Sequence, residues 1–165
     1  LVGSESRIRD SSRSSVQNTI NHAENSCKAR GAKLTNKRKQ VLSGLLQSDK
    51  AKSAYELVDY CKDKFGETLP PMSVYRILDF LQDEHLVHKL KLANKYIACA
   101  HITCDHEHGV THFLICNNCQ TAKEISVNSS TINALKNNVE DAGFQLVNSQ
   151  LEINCLCRSC QNKAA

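Results

Sequence analysis

Two pairs of cysteines with C-x-x-C spacing constrain this chain more than any other feature. Cys116 and Cys119 form the first pair, and Cys157 and Cys160 form the second. A two-residue gap in a tight turn lets both sulfurs face one ion, and two such turns supply the four thiolates that suit tetrahedral zinc. The ion would then tie the last strand of a domain to its first. Cys155 also adjoins the second pair, and we favour Cys157 because its spacing matches.

The cysteine count and the N-terminal composition indicate the compartment. There are nine cysteines in 165 residues, and the first residues are polar and charged rather than an apolar export signal. In a reducing cytosol this clustered spacing favours metal thiolates over disulfides. No apolar run approaches the roughly 20 residues that span a bilayer. We therefore expect a cytoplasmic protein without a membrane partner.

The positive charge is confined to the first half of the chain. Residues 1–89 carry the whole net charge of +4, and the densest basic stretch, 28–39, contains no acidic residue. A basic half favours a polyanionic partner such as nucleic acid. A lysine-rich face that is merely solvated has the same composition, so charge alone leaves both interpretations open.

The first half also has the periodicity of helices. Residues 1–14 are expected to form a disordered tail, and apolar residues then recur at helical spacing over roughly 15–30. Thr35 is the predicted N-cap of a second helix. Ser53 and Glu56 form a capping box, which predicts the start of a third.

The elements that follow predict a winged helix-turn-helix. A fourth helix comes after Pro70-Pro71, and two short strands, over 86–92 and 96–99, enclose a predicted two-residue turn at Ala93-Asn94. In a winged helix-turn-helix the last helix enters the major groove of DNA, and the hairpin is the wing. We therefore predict a DNA-binding domain over 15–99.

The rest of the chain predicts a hinge over 100–109 and a small second domain over 110–165, which makes the fold class α+β. A strand over 113–115 leads into the first cysteine pair, a helix ends at Gly143, and a last strand is expected near 144–153. The apolar residues that this helix should bury are Ile132, Leu135, Val139 and Ala142.

A second group of metal-ligand residues is centred on the predicted wing. If Ala93-Asn94 forms a two-residue turn, His88 lies directly opposite Cys99, with Cβ atoms about 4.5–5.5 Å apart. A one-residue shift would send the two side chains to opposite faces. A single histidine on a strand is usually a surface or core residue, but the paired cysteine and the downstream histidines favour a metal site.

Further ligands follow the wing in sequence. His106 and His108 in the hinge are alternatives for the third ligand, and Glu124 is the candidate for the fourth. Mixed sulfur, nitrogen and oxygen ligands suit Zn²⁺ better than a hard cation. Binding there would fix the angle between the domains, which is the two-state element that a metal switch needs. Cys104 and His112 have no assigned role.

The exposed side of the fourth helix carries the candidate DNA contacts. Arg76 suits a guanine or a phosphate, and Tyr75 suits a thymine methyl or a phosphate. The candidate DNA-binding residues are Lys37, Arg38, Tyr55, Ser73, Tyr75 and Arg76. The alternative is an ordinary amphipathic surface.

The chain lacks the motifs of a zinc enzyme. His106-Glu107-His108 does not continue to the His-Glu-x-x-His pattern of zincins, and neither cysteine pair follows a proline as in nucleoside deaminases. We therefore expect no catalytic residues and no small-molecule substrate.

Taken together, the motifs resemble those of the ferric uptake regulator superfamily, over roughly residues 16–160. They are Thr35-Asn36-Lys37-Arg38, Ser53-Ala54-Tyr55-Glu56-Leu57, Ser73-Val74-Tyr75-Arg76-Ile77-Leu78 and the two cysteine pairs. Val87-His88-Lys89, Cys99 and Asp79-Phe80-Leu81 are most similar to the zinc uptake regulator branch.

The resemblance implies a homodimer in which the winged-helix domain is followed by a small α/β dimerisation domain. It implies two Zn²⁺ ions per protomer, a structural one at the four paired cysteines and a regulatory one. The regulatory ligands it implies are His88, Cys99, Glu124 and His108, with His106 as the alternative to His108. The zinc-loaded dimer of this family binds a palindromic double-stranded operator and represses metal-uptake genes, with Tyr55 and Arg76 on the DNA.

Two other functions remain open. One is an iron- or peroxide-responsive regulator of the same superfamily, whose sites are mostly nitrogen and oxygen, so that Cys99 argues against it. The other is a zinc-binding interaction module without DNA activity.

Overall fold

The computed structural model describes residues 4–47, 49–104 and 110–163, without the side chains of 4–14. Contacts within the chain cluster into two units, Leu1–His106 and Glu107–Ala165. Helices and two small sheets give the α+β class that the sequence predicts. No helix among these residues is long and apolar enough to cross a membrane.

The described residues of the first unit form four helices and a hairpin. Its elements are α1 (Ser4–Ala29), α2 (Asn36–Leu46), α3 (Ala54–Phe65), α4 (Pro71–Asp83), β1 (Val87–Leu90) and β2 (Lys95–Ala98). α1 begins at Ser4, whereas the sequence predicted a tail over 1–14 and a helix from about residue 15. Neither proline nor glycine interrupts the chain from Ser4 until Gly31, so nothing in the backbone opposes the longer helix.

One apolar core joins the four helices to the hairpin. Leu42 of α2, Leu57 of α3 and Leu78 of α4 have no exposed surface. In the hairpin, Tyr96 is almost fully buried, and its backbone pairs with that of Lys52 through N–O distances of 2.8 and 2.9 Å. The wing is therefore fastened to the segment that leads into α3.

The predicted capping box at the start of α3 is present. Ser53 Oγ accepts a hydrogen bond from the backbone N–H of Glu56 at 3.2 Å, and the backbone N–H of Ser53 donates to Glu56 Oε2 at 2.6 Å. Replacing an N-cap serine with alanine leaves a helix N–H unsatisfied, at a cost of about 1 kcal/mol.

We expect Ser53→Ala to lower the free energy of unfolding by about 1 kcal/mol. Urea unfolding followed by helical circular dichroism measures it. Ser53→Asp, which retains an oxygen acceptor, is the control and should stay close to the wild type. Equal unfolding midpoints for the alanine variant and the wild type would mean that the cap contributes nothing here.

The predicted register of the wing is wrong by two residues. β1 and β2 enclose a four-residue turn rather than two residues, and His88 pairs with Ile97 instead of Cys99. A two-residue turn of type I′ needs positive φ at both positions. Asn94 adopts a φ of 48°, but Ala93, with its Cβ, disfavours such an angle. A shift of two residues keeps each side chain on its predicted face, since alternate residues share a face.

Over residues 110–163, the second unit is a three-stranded sheet with two helices. Its elements are β3 (His112–Cys116), β4 (Ala122–Ile125), α5 (Ser129–Asp141), β5 (Glu152–Cys155) and α6 (Arg158–Gln161). The strand order is β4-β3-β5, with β4 antiparallel and β5 parallel to β3. The last strand, predicted near 144–153, begins only at Glu152.

The apolar side of α5 is less buried than its sequence predicts. Ile132, Leu135 and Val139 are half-buried, Ala142 is exposed, and no residue of α5 is fully buried. Beyond the helix, the side chains of Phe144 and Val147 are 72% and 95% exposed. The pattern of apolar residues was therefore correct as a helix signal and wrong as a measure of burial within one chain.

Candidate metal centres and nucleic-acid interface

The two cysteine pairs come together in the second unit. The sulfur atoms of Cys116, Cys119, Cys157 and Cys160 all lie within 4.8 Å of one another, and those of Cys119 and Cys157 are 3.6 Å apart. Four sulfurs held at about 2.3 Å from a tetrahedral zinc ion stand about 3.8 Å from one another. The donor set and its spacing therefore fit Zn²⁺.

Strand pairing and two tight turns produce this cluster. The parallel register of β3 and β5 brings the ends of the two strands side by side, with Cys116 opposite Cys155. After β3 the chain turns back at Gln120, which has a φ of 61° and whose N–H donates to the carbonyl of Cys116. After β5, Cys157 is the N-cap of α6, and Cys160 follows in its first turn.

Cys155 lies outside the cluster although it is adjacent in sequence. Its thiol donates to the carbonyl oxygen of Ile115 at 3.5 Å, and it is not among the four clustered sulfurs. The spacing alone favoured Cys157 over Cys155. In the structure, the register of β3 and β5 places Cys155 opposite Cys116 on the strand, and the sulfur of Cys157 joins the cluster.

The surroundings of Cys116, Cys119 and Cys160 shift the pKa values of their thiols in different directions. The backbone N–H groups of Cys119 and Cys157 lower the pKa of the Cys116 thiol to about 6. The Thr121 hydroxyl, 3.1 Å from Cys119 Sγ, lowers the pKa of that thiol. The Cys157 side chain raises the pKa of Cys160 to about 11. Since the thiolate is the metal-binding form, Cys116 and Cys119 are better prepared to bind a metal than Cys160. No spacing rule pointed to Thr121.

His88 and Cys99 lie together on the wing. A ring nitrogen of His88 is within 4.8 Å of Cys99 Sγ, although their predicted pairing was wrong. The N–H of Cys99 donates to the carbonyl of Leu86 at 2.9 Å, so Cys99 continues the ladder one place beyond β2 and lies diagonal to His88. Cys99 is only 4% exposed. A buried thiol beside an imidazole is a pair of donors that suits zinc.

The other candidate ligands have different positions. Glu124 is half-buried on β4, where it pairs with Phe113. His106 and His108 lie outside the described residues. Nδ1 of the buried His112 accepts a hydrogen bond from the N–H of Leu151 at 3.1 Å, which gives that nitrogen a structural role. Cys104 is exposed.

α4 presents a polar face on the side away from the core. Arg76 is exposed, and the described residues offer its guanidinium no hydrogen bond or ion pair. Ser73 is half-buried, and Tyr75 packs partly against the core. Tyr55, at the start of α3, has 62% of its surface exposed. Arg76 and Tyr55 are therefore accessible to a partner.

The two basic candidates on α2 differ in how they are held. Lys37 is exposed, and its Nζ lies 4.0 Å from Oε2 of Glu67. Arg38 lies over the ring of Phe80, 3.4 Å from its centroid, and donates to the carbonyl of Lys33 at 2.6 Å. Arg38 thus packs α2 against α4. Its place in a basic run did not predict this contact.

Met72 was not among the sequence-derived candidates. It is the second residue of α4, and its side chain is 65% exposed. Its position immediately after Pro70-Pro71, at the start of the helix predicted to enter the groove, is the sequence signal that points to it.

Comparison with known proteins places these features in context. The Ferric uptake regulator family profile matches residues 29–154. The "Zinc uptake regulation protein" of Escherichia coli (strain K12) is 32% identical over 148 residues, which cover 90% of this chain and 84% of that protein.

Solved structures agree in fold. A "Zinc Uptake Regulator Complexed With Zinc AND DNA" has a TM-score of 0.76 at 30% identity, covering 91% of this chain and 98% of that one. The crystal structure of holo XcZur has a TM-score of 0.68 at 34% identity, covering 87% of this chain and 96% of that one.

Proposed function

The chain belongs to the ferric uptake regulator family, and we propose that it is a zinc-responsive transcriptional repressor that binds operator DNA as a homodimer. The observation that carries the proposal is that a ring nitrogen of His88 and the thiol of Cys99 lie within 4.8 Å of each other on the wing. A thiolate beside an imidazole favours zinc over iron or a hard cation. The relatives named for zinc uptake support the same metal.

We propose two zinc ions per chain with different roles. Cys116, Cys119, Cys157 and Cys160 would hold a structural ion, because four thiolates leave no open coordination position. The regulatory ion would be held by His88, Cys99, His108 and Glu124, with His106 as the alternative to His108. These residues come from both units of the chain, so zinc bound by all of them would link the DNA-binding unit to the second unit.

The homodimer is supported by the apolar surface of the second unit. The described side chains of Phe144, Val147 and Val110 are 72%, 95% and 56% exposed, and the apolar stripe of α5 is only half-buried. Exposed apolar surface of this kind is one mark of a protein interface. Two copies related by a two-fold axis would present two α4 helices to a palindromic duplex.

The proposal is tested by selecting DNA from a random-sequence duplex library with the full chain, once with zinc and once with a zinc chelator. We expect an inverted repeat to be enriched with zinc alone. Enrichment by ferrous iron but not by zinc would favour the iron-responsive alternative, and no enrichment under any condition would favour an interaction module without DNA activity.

We expect Arg76→Ala to weaken binding to the selected duplex by about 10- to 100-fold, the cost of losing one bidentate base contact, and to relax base preference at one position. Fluorescence anisotropy on a panel of single-base variants measures both effects. Lys136→Ala, which removes an exposed cation from α5, is the matched control and should bind normally. A uniform loss over all sequences would assign Arg76 to a phosphate instead of a base.

A further inference from the structure

Two large apolar side chains are exposed at equivalent positions of the helix-turn-helix. Tyr55 is the second residue of α3 and is 62% exposed, and Met72 is the second residue of α4 and is 65% exposed. The other apolar residues of α4 are buried or pack against the core: Val74, Tyr75, Ile77, Leu78, Phe80 and Leu81. Met72 is thus the apolar residue of α4 that its own domain leaves exposed.

The surroundings of Met72 suit the approach of DNA. The first turn of α4 contains no acidic residue, so no carboxylate of that turn offsets the partial positive charge of the helix N-terminus. Arg76 is exposed one turn further along, and residues four apart lie on the same face of a helix with Cβ atoms about 5–6 Å apart. Met72 and Arg76 therefore present an apolar and a cationic group side by side.

We propose that Met72 packs against the methyl group of a thymine, one or two base pairs from the base that Arg76 reads. The inference rests on the proposed DNA-binding function. N-terminal residues of a recognition helix contact base edges, and thymine is the base that offers an apolar group in the major groove. Base pairs are about 3.4 Å apart along the duplex, so the Met72–Arg76 spacing corresponds to one or two steps. The flexible thioether adapts to such a surface.

Replacing thymine with deoxyuridine removes only this methyl group and tests the contact directly. The probe is the duplex selected with the zinc-loaded chain, carrying deoxyuridine at one thymine at a time within two base pairs of the position where Arg76→Ala loses base preference. We expect wild-type binding to weaken about fourfold at one such thymine, the effect of uncovering one methyl group.

Variants of Met72 distinguish a contact with this side chain from a general effect on the DNA. Met72→Ala should bind the thymine and deoxyuridine duplexes equally, and Met72→Leu should restore discrimination. Met72→Gln, of similar length, should shift the preference towards adenine, the base that glutamine pairs with. Leu92→Ala removes a side chain that is 62% exposed on the wing turn and should keep the wild-type response.

Equal wild-type binding with and without every tested methyl group would overturn the proposal, as would a methyl response that persists unchanged in Met72→Ala. Failure of the wild-type chain to select any sequence would contradict the proposed function itself, and this inference with it.

Discussion

Cys157→Ser is expected to release the structural zinc and unfold the second unit. Serine is a poor zinc ligand, and three remaining cysteines do not complete a tetrahedral site. Within the described residues of one chain, the sheet of this unit has three short strands and α5 has no fully buried residue. Apolar burial therefore contributes little to the stability of the unit. In small domains of this kind, the free energy of metal binding is a large part of the free energy of folding.

Zinc content per chain and thermal unfolding measure the effect. The variant should lose one equivalent of tightly bound zinc and the cooperative transition of residues 107–165. Cys155→Ser is the matched control, since its thiol is two residues away, donates to the carbonyl of Ile115 and is outside the cluster. If Cys155→Ser lost the metal and Cys157→Ser retained it, the assignment of the four ligands would be reversed.

Cys99→Ser is expected to abolish the zinc response while the chain remains folded. The backbone hydrogen bond from Cys99 to Leu86 does not depend on the side chain, and serine is slightly smaller than cysteine. Its hydroxyl, however, does not replace a thiolate on zinc. Couplings between two binding sites are typically 5- to 150-fold in affinity, so we expect zinc to tighten operator binding by about that ratio in the wild type and not at all in the variant.

Anisotropy titrations with and without added zinc measure this ratio, and circular dichroism verifies the fold. Cys104→Ser, which changes an exposed thiol five residues later, is the control and should respond as the wild type does. A full zinc response in Cys99→Ser would remove Cys99 from the regulatory site.

Elements with local signals were predicted well from the sequence. The start of α3 follows from Ser53 and Glu56, whose capping interactions span one helical turn. The apolar residues of α4 recur at the helical period, and of these Val74, Leu78 and Leu81 are buried and Ile77 is partly buried. In both cases the deciding interactions join residues that are close in sequence.

One error arose at a turn whose conformation the sequence did not specify, and the others arose where distant residues decide. The register of the wing depends on the conformation of its turn, in which the φ of Asn94 alone is positive. The burial of α5 depends on what covers Ile132, Leu135 and Val139, which an apolar pattern does not specify. The strand expected near 144–153 has no pairing strand before Glu152 among the described residues.

The residues of the candidate site were predictable to different degrees, because some of them are close in sequence and others are not. A C-x-x-C pair is local, and its spacing was enough to favour Cys157 over Cys155, although the structural reason lies in the register between β3 and β5. His88 and Cys99 were associated through a wrong register that happened to keep them on one face. The preference for His108 over His106 remains a prediction, since both lie outside the described residues.

The most direct test compares one preparation of the full chain loaded with either one or two zinc ions, using a single operator duplex. If the second ion controls the affinity for DNA, the two-zinc form should bind the duplex at least about tenfold more tightly. Equal DNA affinity of the one-zinc and two-zinc forms would contradict the account. It would mean that zinc has only a structural role in this regulator.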